Sequence, residues 1–214
     1  MENRSVIVLQ RSAFNCHASS LGLRVETAGP GGNGFAKLRE CEAIVWDMAA
    51  ARDLIQRSKM KAIIQKTPKD CCKLLLFNLR DIQPTDEGII RESLTHCDIL
   101  TIRNDILPFV CKLMGMRSRS LMDNGFELMT AFGIGTLILN YGERGCLVFH
   151  GNAVSEKRGH LPFSHHSADE IDEAFLAAYY AASRDHKTLF TECHRMALNY
   201  LEHICAPDEK SVLP

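Results

Sequence analysis

Seven short stretches of this chain carry mostly continuous apolar runs: SVIVLQ (5–10), AIVWD (43–47), KAIIQ (61–65), KLLLFN (73–78), DILTI (98–102), TLILN (136–140) and CLVFH (146–150). A strand with one wet face alternates apolar and polar residues. Unbroken runs suit strands covered on both faces, as in a parallel sheet between two helical layers. Helical patterns fall between and after them. These are MAAARDLIQRSK (48–59), TDEGIIRESL (85–94) behind Pro84, NDILPFVCKLMG (104–115), SLMDNGFELMTAFG (120–133), ADEIDEAFLAAYYAAS (168–183) and LFTECHRMALNYLEHI (189–204). In the fifth, Ile171, Ala174, Phe175, Ala178, Tyr179 and Ala182 recur at spacings of three and four and make one apolar face. Strand and helix alternate from about 43 to 135. That order predicts an α/β fold with a doubly wound, mostly parallel sheet and helices on both faces. The turn YGERG joins the last two runs and predicts an edge β-hairpin near 136–150.

Apolar residues make up 46% of the 214 positions, enough for one domain with a sizeable core. The formal net charge of −1 gives a nucleic-acid partner no electrostatic support. No apolar run approaches the roughly 18 residues of a membrane span, and MENRSVIVLQRS has no small-residue cleavage pattern, so neither a membrane nor a secretory route is expected. The nine cysteines are odd in number and scattered through the expected strands and helices. This suggests free buried thiols in a reducing compartment, hence a cytoplasmic protein. The adjacent Cys71 and Cys72, and the cluster His160, His165 and His166, lack the ligand spacing of a zinc site, so no metal set is expected. The Gly/Pro-rich stretch 26–40 is the best boundary. It divides a short segment 1–40 from an α/β domain 41–207, followed by a tail at 208–214.

Three motifs bear on chemistry. GPGGNG (29–34) lacks the spacing of a dinucleotide or P-loop turn and reads as a turn or a backbone surface for a polar ligand. NYGERG (140–145) follows a strand, where a glycine turn can face a phosphate or ribose, although most such turns are only turns. SHHSADEIDEAF (164–175) places Asp169, Glu170, Asp172 and Glu173 at the start of a helix. Ser167 and Glu170 satisfy a capping box, and acids in a first turn favour the helix dipole by about 0.3–1 kcal/mol each. Stability accounts less well for Asp172 and Glu173. A carboxylate near a helix N-terminus also suits a general base beside a phosphate.

In order and spacing, these segments over roughly 60–205 resemble the ribokinase-like, PfkB-type carbohydrate kinases. CDILTIRNDIL is similar to that family's N-x-x-E segment, TLILNYGERGCLVFHG to its strand–T-x-G-x-x-G–strand segment, and HHSADEIDEAFLAAYYAA to its D-T-T-G-A-G-D-x-F segment. The resemblance implies ATP-dependent phosphoryl transfer to a sugar or nucleoside hydroxyl, with Mg²⁺. It puts the catalytic base on Glu173, or on Asp172 if one residue is inserted. It puts Asn140, Gly142, Glu143 and Gly145 beside the nucleotide, and Asn104 and Asn33 on the substrate side. Glu170, Ile171 and Asp172 stand where the family has bare G-A-G backbone, and Leu107 replaces the glutamate of N-x-x-E. The chain is also short for the family, which makes 1–40 a candidate lid remnant and is compatible with a homodimer. These departures raise an alternative: a catalytically inactive, kinase-derived scaffold that binds a protein or small ligand. The start of the acidic helix separates the two. A helix beginning at Ser167 puts Glu173 in its second turn, whereas one beginning nearer Glu170 preserves the kinase geometry.

Overall fold

A computed structural model describes residues 5–9, 13–27, 41–117, 120–157, 166–185 and 187–205. Asn33 with its GPGGNG turn, His160, His165 and the tail 208–214 lie outside these residues. The strands are β1 (Ser5–Val8), β2 (Val25–Thr27), β3 (Cys41–Asp47), β4 (Cys72–Phe77), β5 (Ile99–Arg103), β6 (Thr136–Asn140), β7 (Cys146–His150) and β8 (Ala153–Lys157). They form one sheet in the order β2-β1-β3-β4-β5-β6-β7-β8. Pairing is parallel from β2 to β6 and antiparallel from β6 to β8. The expected doubly wound sheet is present, and its antiparallel end carries the expected hairpin. β8, a half-exposed strand not expected from the sequence, continues that end.

Alternate residues of the inner parallel strands point into two separate cores. On β3, Ile44 and Trp46 face one side and Ala43 and Val45 the other; on β4, Leu75 and Phe77 oppose Leu74 and Leu76. This double burial is why the runs read as continuous. Each fully covered Leu or Ile contributes about 1.5–3 kcal/mol. The first face is covered by α2 (Met48–Arg52), α3 (Leu54–Lys66), α4 (Glu87–Thr95), α5 (Leu107–Leu113) and α6 (Leu121–Phe132). The second is covered by α1 (Ala13–Ser20), α7 (Ala168–Ser183) and α8 (Phe190–Cys205), which pack in the order α1–α7–α8. No helix among the described residues is long and apolar enough to cross a membrane.

One expected strand is a helix. KAIIQ lies in the last two turns of α3, where Met60 and Ile63 bury one face at a spacing of three. Asp53 interrupts the expected helix 48–59 and caps α3, its side chain accepting the Gln56 N–H at 2.8 Å. The Ile63–Ile64 pair suggests a strand, but the cap and the helical spacing prevail.

Candidate functional site

Parallel strands β3 to β6 end on the same edge of the sheet, where an open α/β sheet offers a crevice to ligands. β6 ends in Asn140, buried at 4% exposure. Its side-chain oxygen accepts the Gly142 N–H at 3.1 Å, and its amide nitrogen donates to the carboxyl of Asp172 on α7. Asn140 thus clamps the glycine turn to the acidic helix. One turn of 3-10 helix, Gly142–Arg144, bridges to β7. Gly142 and Gly145 have φ of 65° and 95°, conformations that side chains resist. The Gly145 N–H bonds Gly142 O at 3.0 Å. Both glycine amides are therefore engaged within the turn.

Asp172 is 8% exposed. Burial pushes its carboxyl up from 3.8 to about 7, opposed by the Asn140 hydrogen bond and the nearby Arg103 guanidinium and reinforced by Asp169 and Glu173. The adjacent Glu173 points elsewhere, since successive helical residues lie about 100° apart. Its Oε2 accepts the Phe14 N–H at 2.7 Å in the first turn of α1, an anchor between two helices. α7 begins at Ala168 behind the Ser167 cap. The Glu170 N–H bonds Ser167 Oγ at 3.2 Å, and Glu170 Oε2 accepts the Ser167 N–H at 2.7 Å. The expected capping box is complete, and Glu173 lies in the second turn. These backbone contacts hold the exposed Glu170 carboxyl below the usual glutamate range.

Arg103, Asn104, Asp105, Asn140, Tyr141, Gly142, Arg144, Ala168, Ile171 and Asp172 enclose a cleft of about 280 Å³. Asn104 enters it from the end of β5, held by its N–H to Asn140 O at 2.9 Å. Glu143 is exposed on the 3-10 turn and does not line the cleft. Sequence reading missed the two cations. Arg103 grips Asp105 through two bonds of 3.1 and 2.7 Å, and Arg144 lies 5.9 Å from the centre of the Tyr141 ring. Both lie inside the quoted segments NYGERG and CDILTIRNDIL, but at positions to which those patterns assign no role, and only the fold brings Arg103 to Asp172. Behind Asn140 is a closed network: Cys146 Sγ meets His194 Nε2 at 3.1 Å, and His194 Nδ1 meets Ser155 Oγ at 2.9 Å. Burial lowers His194 to about 4 and raises the thiol, so both are neutral and satisfy each other.

The described residues gather no magnesium site. Among the described residues, no three His, Cys, Asp or Glu side chains converge on one point. Asp105 is engaged with Arg103 and Asp172 with Asn140. The enclosed space beneath Asp169, Asp172 and Glu173 is about 10 Å³, close to a single water and too small for a hydrated magnesium ion.

The chain matches no family model and no curated protein. Solved structures match it at the level of fold. A fructokinase from Xylella fastidiosa with bound ATP aligns with a TM-score of 0.68 and 8% identity, over 96% of this chain and 90% of that one. Bacillus subtilis pyridoxal kinase, in an ADP complex, gives 0.64 and 13% over 92% and 89%. The apo fructokinase from Vibrio cholerae O395 gives 0.58 and 15% over 76% of this chain, which spans only 57% of that one. The chain has the ribokinase-like fold of the PfkB-type kinases.

Proposed function

We propose that this chain, built on the fold of the ribokinase-like kinases, is a kinase-derived scaffold that binds a neutral, hydroxyl-rich ligand of the sugar or nucleoside class and does not transfer a phosphoryl group. The carrying observation is the closed N-terminus of α7. A phosphate needs free amides and positive potential there. The Ser167–Glu170 box occupies the Glu170 N–H, Glu170 adds negative charge, and Asp169 already holds the nearby Arg80 guanidinium at 3.0 Å. The glycine turn offers little in exchange, with Asn140 on the Gly142 amide. The cleft suits hydroxyl groups instead. Asn104 supplies an amide, Arg144 donors and Tyr141 an apolar ring face, while Asp105 and Asp172 keep lone pairs beyond their bonds to Arg103 and Asn140. ATP and Mg²⁺ are then no part of the resting function.

A thermal-shift titration with adenosine and a panel of sugars, set against Mg-ATP, tests this reading. A ligand at a hundredfold excess over its Kd stabilises by about 2.7 kcal/mol, a rise of several degrees for a chain of this size. We expect a nucleoside or sugar to produce that rise, Mg-ATP to add nothing, and Gly142→Val to remove the response. A larger rise with Mg-ATP than with any neutral ligand contradicts the proposal.

A second reading, an active carbohydrate kinase, is favoured by one feature: a buried carboxyl that titrates near neutrality at the edge of the cleft. In that case Asp172 takes the proton of the acceptor hydroxyl, and Glu173, bonded to α1, does not.

A further inference from the structure

Cys41 opens β3 and Cys71 immediately precedes β4. The two strands are parallel neighbours with Ala43 opposite Cys72, so the cysteines meet at the N-terminal ends of the strands, at the far end of the sheet from the cleft. Both are buried, at 2% and 1% exposure, in the same core. The Cys71 S–H points at Cys41 Sγ across 3.5 Å. That contact lowers the Cys41 thiol below its ordinary value and raises Cys71. Cys41 Sγ also donates to Ala43 O at 2.9 Å, so the two sulfurs are held face to face at a separation that a small closing movement converts to a disulfide. Cys72 packs against the opposite core, and Cys16 is exposed and far along the chain.

We propose that Cys41 and Cys71 are a redox modification site that closes to a disulfide under hydrogen peroxide. Cys41 sulfur attacks a peroxide oxygen, the O–O bond breaks, and a sulfenic acid and one water form. Cys71 sulfur then attacks the Cys41 sulfur, the S–O bond breaks, and the second water leaves with the remaining thiol proton. The two sulfurs together give up two electrons to the peroxide. The bond closes a 30-residue separation that contains α2 and α3. It restricts the unfolded chain and stabilises the fold, and it leaves the cleft untouched.

The test treats the whole protein with hydrogen peroxide, blocks free thiols, and maps peptides without reduction. The expected result is the loss of two hydrogens, a Cys41–Cys71 cross-link reversed by dithiothreitol, and a melting temperature several degrees above the reduced form. Cys72→Ser and Cys97→Ser retain the cross-link; Cys41→Ser and Cys71→Ser lose it. Cys41 and Cys71 still alkylatable after peroxide and denaturation, while other thiols are oxidised, overturns the assignment. So does a cross-link of either to a different cysteine.

Discussion

Asp172 carries a free-energy cost that depends on pH. In the unfolded chain it ionises near 3.8, in the folded one near 7. Between those values the folded state holds a proton that the unfolded state has released, so stability falls as pH rises and levels off above about 7. The span corresponds to about 4 kcal/mol. Urea denaturation from pH 4 to pH 8 should show Asp172→Asn gaining that much on the parent chain, with the difference growing between pH 4 and 7. A difference that is flat with pH contradicts the burial account. Asn140→Ala strips a partner from both the Gly142 amide and the Asp172 carboxyl. It should cost about 2–3 kcal/mol by the same measurement and move the Asp172 titration higher. The different surroundings of Asp172 and Glu173 were not legible in the sequence. Two adjacent acids look alike there, and the contact that separates them, Glu173 with Phe14, spans 159 positions.

Elements were legible where both faces are buried and obscure where one is wet. β3 to β7 declare themselves by unbroken apolar runs, and α7 by its cap and stripe. β2, with no buried residue, and β8, with one, are edge strands whose short polar sequences carry no comparable signal. α6 contains a glycine that propensity alone would replace. A Cβ at Gly125 would lie 2.9 Å from Phe149 Cε1 and 3.2 Å from Leu137 Cδ2, both side chains fully buried. Phe149 is also packed edge-on to Phe126 at 5.2 Å. Gly125→Ala should therefore destabilise by about 1–3 kcal/mol in urea, against the roughly 1 kcal/mol that alanine gains in a helix. A stabilised variant would show that the α6–sheet interface has slack.

Over the whole molecule, the sheet brings the glycine turn, the Asn104 loop and the acidic helix to one edge, as the order of motifs suggested. What the order of motifs did not convey is how they fit together. The capping box engages the Ser167 and Glu170 amides, the Asn140 clamp the Gly142 amide and the Asp172 carboxyl, and Asp105 the Arg103 guanidinium. The central claim, a kinase fold that no longer transfers phosphate, is tested most directly by acceptor-dependent ADP release. The protein is incubated with Mg-ATP and a panel of sugars and nucleosides. The expected result is no ADP above the acceptor-free control with any of them. ADP release that requires one acceptor, and is lost in Asp172→Asn but kept in Glu173→Gln, would contradict the claim and make Asp172 a working base.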